Sequence, residues 1–187
     1  FEDKFYILTN WEARNFKLMQ TSQERTNLEY WSTLIAHNSD TLLNSVQVFN
    51  EHLVISQRSN ALTSLKIIHQ KTGYYHEVSF DEPVYVVYPT TNTEFNTTKL
   101  RFRYSSLTTP STIFEYDMNE RRKKILKETQ IIGGHKPSQY KTERLFAKGR
   151  DGVLIPISLV YKKGLVKNNQ NPLLLYAYGS YGNSMYP

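Results

Sequence analysis

The residues best suited to chemistry lie near the end of the chain, in "PLLLYAYGSYGNSMYP" (172–187). An apolar run, Leu173 to Tyr178, breaks into Gly179, Ser180, Tyr181 and Gly182, so that Tyr176, Tyr178 and Tyr181 alternate with small residues. A tyrosine hydroxyl titrates near pH ~10 and is therefore a donor at neutral pH. Placed at the end of a strand in an α/β sheet, where ligands gather, it can donate to an oxyanion that forms during acyl transfer. The competing use is plain packing, with the rings buried and the hydroxyls at a rim. Chemistry alone favours packing. Ser180 fails as a nucleophile: a nucleophile elbow needs G-x-S-x-G on a strand-to-helix turn. Here Tyr178 stands two residues before the serine, and 183–187 carry no helical pattern.

Other reactive residues are weaker. His37, His52, His69, His76 and His135 form no H-E-x-x-H pair, and there is no cysteine. No metal centre and no cofactor are expected. His69 and His76 flank a hairpin and read as surface or cross-strand residues. "GGHKPS" lacks the spacing of a phosphate loop and reads as a linker. Arg121 to Lys124 read as a solvated hairpin tip. The formal charge of +6 with 14 Tyr and 9 Phe raises nucleic acid as a partner. The basic residues are scattered and the aromatics alternate inward, so none is expected.

The elements that would hold these residues are strands. Phe5–Leu8, Phe16–Met19, Leu53–Ile55, Leu65–Ile68, Val84–Val87, Leu100–Tyr104 and Ile113–Tyr116 are short apolar runs bounded by polar turn residues. "LRFRYSSL" alternates Leu100, Phe102 and Tyr104 with Arg101 and Arg103, the period of a half-wet strand. Equivalent runs recur about every 48 residues. That spacing matches the roughly 40–50 residues of a four-stranded propeller blade. It gives one partial blade to about Ile35, a whole one over about Leu43–Phe80 and a last one over about Val84–Leu126. Gly73 sits where a hairpin needs a left-handed residue.

Residues 128–141 break the repeat with Gly133, Gly134 and Pro137 and read as an interdomain linker. From 142 to 187 the strands change character: Thr142–Ala147, then "GVLIPISLVY" with Pro156 marking an edge or bulge, then "PLLLYAY", apolar on both faces as in a central strand of an α/β sheet. The fold class is mainly β, with the C-terminal blades of a β-propeller (1–127) followed by the first strands of an α/β-hydrolase domain. No apolar run approaches the ~18 residues of a membrane helix, so no membrane partner is expected. Phe1 opens almost on a strand pattern, as in the middle of a larger protein. Zero cysteines suit a reducing, cytoplasmic compartment. Too few blades to close a ring make self-association of the isolated chain an expectation.

Several segments resemble one family. "LLLYAYGSYG", "RYSSLTTPSTIFEYDM" with its core at Ser105–Pro110, "RDGVLIPISLVYKKG", "LTSLKIIHQKTG" and "LLNSVQVFNEHLVISQR" are similar, in order, to the oligopeptidase B branch of the prolyl oligopeptidase family of serine peptidases. The resemblance implies a propeller joined to an α/β-hydrolase domain, a Ser-Asp-His triad and cleavage of short peptides after Arg or Lys. It implies that Tyr178 is the oxyanion donor, acting with the backbone N–H after the nucleophile. Ala177 stands where the family commonly has Gly, and Tyr186 stands where some relatives carry an acidic residue for basic substrates. The triad is expected C-terminal to Pro187, so the chain alone is expected to be inactive. Its expected partners are short peptides and the rest of the propeller and peptidase domain. The sister reading is a prolyl oligopeptidase cutting after proline. The reading from another class is a non-enzymatic propeller that binds partners.

Overall fold

A computed structural model describes residues 3–181 and 183–187; Phe1 and Glu2 at the start, and Gly182 in the tyrosine-rich end, lie outside the described residues. Among the described residues, thirteen strands run in chain order. β1 (Lys4–Thr9), β2 (Lys17–Ser22) and β3 (Ser32–Ile35) form a three-stranded antiparallel sheet. β4 (Thr41–Val48), β5 (His52–Ser59), β6 (Leu62–His69) and β7 (Tyr75–Glu77) form a four-stranded meander, and so do β8 (Tyr85–Pro89), β9 (Lys99–Ser106), β10 (Thr112–Asp117) and β11 (Arg122–Glu128). These three sheets follow the three units of the sequence repeat and are consistent with propeller blades. β12 (Tyr140–Lys148) pairs with β13 (Leu154–Lys162) in a separate antiparallel hairpin. No helix among the described residues is long and apolar enough to cross a membrane.

The period of two explains how the blades stack. Along β5, Leu53 and Ile55 turn to one face and join Leu18 and Leu43, while Val54 turns to the other and joins Leu65, Val87, Leu100 and Phe102. Each blade thus covers the next through alternate residues of one strand. β9 alternates exposed and buried as its sequence requires, with Leu100 and Phe102 wholly buried. Burying one such side chain is worth roughly 1.5–3 kcal/mol. Phe80 stacks on Tyr104 with ring centroids 4.7 Å apart and closes the seam below the last blade. Gly73 has φ of 69°, as its turn demands.

Three elements depart from the sequence reading. Only Arg121 of the basic run lies in the turn, at φ of 57°. Arg122, Lys123 and Lys124 open β11, an edge strand exposed along its whole length, where no apolar alternation is needed to mark a strand. Lys123 instead donates to the Ser79 carbonyl at 2.6 Å and lies over the Phe80 ring. Residues 140–148 form β12, so the strand begins two residues before Thr142. The expected strand 172–178 joins no ladder: Leu173, Leu174 and Leu175 are 77–89% exposed. A strand that is apolar on both faces needs a neighbour on each edge and cover on each face, and β12–β13 provides neither. The expected α/β-hydrolase sheet is therefore not formed by the described residues.

Candidate functional site

Two places join the blades to the C-terminal third of the chain. The first is a cleft at the β5–β6 hairpin. A two-residue turn, Asn60–Ala61, closes this hairpin with φ of 49° and 59°, the primed geometry that matches strand twist. Just before the turn, half-buried Arg58 reaches across to the end of the chain. Its Nη1 donates to Ser184 Oγ and to the Tyr186 hydroxyl, both at 3.0 Å, and its guanidinium lies 5.9 Å from the Tyr186 ring centre. The opposite wall is β12–β13, through Phe146, Leu154 and Pro156, and the cleft encloses about 490 Å³.

Tyr178 and Ser180 lie on the segment that Arg58 ties down. Tyr178 is half exposed. After it the Asn183 amide donates to the Ser180 carbonyl at 3.0 Å, and Tyr181 takes a left-handed φ of 55°. Ser180 has no strand-to-helix turn under it, since 179–181 and 183–187 are neither strand nor helix. Tyr176, Tyr178 and Tyr181 are not packed in a core: they are 72%, 52% and 95% exposed. The packing use of these rings is therefore not realised by the described residues.

The second place is Glu82, in the turn before β8. Its carboxylate accepts from Tyr104 and Ser106 hydroxyls at 2.6 Å each, from Thr108 at 2.5 Å and from Thr109 at 2.8 Å. Burial alone would raise this carboxyl, but the four hydroxyl donors outweigh it and hold it below the ordinary carboxylate range. Burial and the same carboxylate push the Tyr104 hydroxyl well above its ordinary value, so it remains a donor. Ser106 Oγ also accepts the Thr108 and Thr109 amides at 3.0 and 2.8 Å, which folds "SSLTTP" into a compact turn. His135, in the loop between β11 and β12, hydrogen-bonds through Nε2 to the Thr108 carbonyl at 2.7 Å, and its ring lies 5.7 Å from that of Tyr140. The carbonyl can only accept, so Nε2 carries the proton. The turn thus anchors the loop after β11 to the β8–β11 sheet.

Sequence reasoning missed both Glu82 and Arg58. The signal for Glu82 was present: Tyr104, Ser105, Ser106, Thr108 and Thr109 crowd hydroxyls into one turn, and a half-buried set of donors needs an acceptor. Nothing near Arg58 in sequence points to Ser184 or Tyr186, which lie 126 and 128 residues away. His52, His69 and His76 lie on strands, whereas His135 lies in the loop after β11. His52 pairs with His69 across β5–β6, ring centroids 5.3 Å apart, and His76 hydrogen-bonds the Tyr116 hydroxyl at 3.0 Å. Among the described residues no three His, Asp or Glu side chains converge on a metal-sized site.

Comparison with known proteins gives the family. A family model described as the prolyl oligopeptidase N-terminal β-propeller domain matches residues 1–129. Dipeptidyl aminopeptidase BI of Pseudoxanthomonas mexicana is 37% identical over 99% of the chain and 26% of its own length. Protease 2 of Moraxella lacunata is 34% identical over 100% of the chain and 26% of its own length. The solved oligopeptidase B of Leishmania major superposes with a TM-score of 0.88 at 31% identity, over 100% of this chain and 27% of that one. The chain spans about a quarter of the length of the relatives it matches. With propeller blades matched over 1–129 and peptidases aligned along its length, this chain belongs to the prolyl oligopeptidase family.

Proposed function

We propose that the chain is part of a cytoplasmic serine oligopeptidase of the oligopeptidase B kind, cutting short peptides after Arg or Lys. Residues 1–127 are its last blades, 128–141 its interdomain linker and 142–187 the opening of its peptidase domain. The observation that carries this reading is the tie from Arg58 on a blade hairpin to Ser184 and Tyr186, on the segment that follows Tyr178, at a cleft also lined by β12–β13; the Tyr178 phenol itself is half exposed. The likeness to oligopeptidase B and Protease 2 along the whole chain supports the same reading.

The mechanism rests on the chemistry open to a phenol at that place. A serine oxygen, from the portion of the relatives that the chain does not span, adds to the peptide carbonyl carbon while a histidine takes its proton. The carbonyl oxygen becomes an oxyanion. Tyr178 donates its hydroxyl proton in a hydrogen bond to that oxygen, with the backbone N–H after the nucleophile as second donor. Tyr178 acts there as a hydrogen-bond donor; the proton that moves in this step is the one passed from serine to histidine. Collapse of the intermediate expels the amine, which takes its proton from the histidine, and water then releases the acid in the same way. One oxyanion donor is worth about 10²–10³ in kcat.

Two other specificities are open to the same machinery. Tyr186 at the place of an acidic residue favours a reading without basic preference, either cleavage after proline or the removal of dipeptides that the name of the 37%-identical relative describes. The test is hydrolysis by the full-length protein of peptide amides ending in Arg, Lys or Pro, with blocked and free amino termini. Turnover of blocked Arg or Lys substrates, abolished by a fluorophosphonate that reacts with the serine, is expected. Turnover confined to free amino termini selects dipeptide release. A full-length protein that hydrolyses none of them and takes up no fluorophosphonate is a binding propeller instead. The 187-residue chain alone is expected to be inert toward all of these substrates.

A further inference from the structure

The cleft at the β5–β6 hairpin has an unusual charge balance. Of the described residues that line it, Arg58 is the one charged side chain; Phe146, Leu154 and Pro156 make one wall apolar, and Asn60, Ala61 and Ser184 are neutral. Among the described residues no carboxylate comes within salt-bridge distance of Arg58. A guanidinium has five N–H donors in a planar fork. Here one nitrogen, Nη1, serves two hydroxyls, and those two bonds, with the Tyr186 ring stacked alongside, fix the direction of the fork. The remaining donors carry a full positive charge with no carboxylate partner among the described residues, beside the apolar side chains of Phe146, Leu154 and Pro156. Hydroxyl partners orient the cation without neutralising it.

We propose that Arg58 is a specificity-determining residue that binds a carboxylate of the peptide substrate in this cleft, its apolar neighbour lying against Phe146, Leu154 and Pro156. The carboxylate is either an acidic side chain or the free C-terminus of a short peptide. The inference rests on the peptidase reading above and adds the chemistry of one subsite. Tyr186 takes part by holding the fork: its hydroxyl accepts from Nη1 and its ring faces the guanidinium.

The experiment uses the full-length protein and internally quenched peptides with one fixed scissile bond. In one set a single residue, moved through the positions flanking that bond, is Glu or Gln. In a second set the peptide ends as a free acid or as an amide. Wild type is expected to show kcat/KM at least tenfold higher for the carboxylate member of one pair. If the Glu/Gln pair discriminates, the ligand is an acidic side chain; if the acid/amide pair does, it is the terminus. Arg58→Met is expected to bring that ratio to about one, and Arg58→Lys to keep part of it, since an ammonium retains charge but loses the fork. Unchanged far-ultraviolet circular dichroism and melting temperature separate this from misfolding. Ratios near one in wild type, or a ratio that survives Arg58→Met, overturn the proposal. If no peptide is cleaved, the peptidase reading fails; calorimetric titration with the Glu and Gln peptides then decides the site itself. A tenfold difference in affinity lost in Arg58→Met supports it, and equal affinities overturn it.

Discussion

Replacing Glu82 by Gln should destabilise the β8–β11 sheet and loosen the loop between β11 and β12. Four hydroxyls converge on this carboxylate at 2.5–2.8 Å, two of them from buried residues, Tyr104 and Thr108. A hydrogen bond to a charged acceptor contributes about 1.5–3 kcal/mol. The four share one charge and are not additive. Gln keeps one acceptor oxygen, and the hydroxyls facing its amide can rotate to accept. The expected loss is therefore about 2–4 kcal/mol rather than the simple sum. Urea unfolding of the variant, followed by circular dichroism, reads it as a lower midpoint at unchanged slope. A double-mutant cycle with Tyr104→Phe should give a coupling of about 1 kcal/mol or more, because each change removes the same bond. Hydrogen exchange of the 129–139 backbone should also rise, since the Thr108 carbonyl that holds His135 belongs to the same turn. A loss below about 0.5 kcal/mol, or strict additivity with Tyr104→Phe, would refute this account of the turn.

Two further outcomes rest on the same geometry of turns and burial. Ala61 holds a left-handed φ of 59° that costs an L-residue about 1 kcal/mol. Ala61→Gly should therefore raise stability by up to about 1 kcal/mol, and a lower melting temperature would contradict the strain. His52 is buried with its Nδ1 unpaired, and burial first, then the neighbouring His69, lowers its pKa from 6.5. Glu51, Asp117 and the Asn119 side chain act in the opposite direction without reversing it. The unfolded chain takes up a proton near pH 6.5 that the folded chain refuses. Stability is thus whole above that pH and falls as the pH drops from 6.5 to the lower folded value, by at most about 1.4 kcal/mol per pH unit for one proton. Melting temperatures between pH 8 and 5 should fall less steeply for His52→Gln than for wild type (pH values chosen to bracket the window, roughly a unit or more on each side). Parallel curves would remove His52 from the acid response.

The blades were legible because their signal is local. Phe5, Leu53 and Leu100 recur about every 48 residues, as do Phe16, Leu65 and Thr112, and alternation along one strand names both faces of a blade at once. Gly73 marked a turn because few other residues take its φ of 69° cheaply. β11 was hidden because its exposed edge needs no apolar face. The segment 172–178 misled in the opposite direction: its composition suits a covered central strand, and composition does not supply the neighbours. Glu82 and Arg58 were out of reach for a different reason. Their contacts join residues 22–27 and 126–128 apart, and only the packing of the blades brings those together. Tyr178 was picked out by the resemblance of "LLLYAYGSYG", whereas its pattern alone pointed to packing.

The account stands or falls on Tyr178. The decisive measurement is kcat of full-length Tyr178→Phe on a blocked peptide amide ending in Arg, beside wild type. The substitution deletes one hydroxyl and leaves the ring in place. The account predicts a fall in kcat of about 10²–10³ with KM little changed, because the bond forms only as the oxyanion develops. A kcat within a few-fold of wild type would contradict it and leave the Tyr178 phenol without a catalytic role.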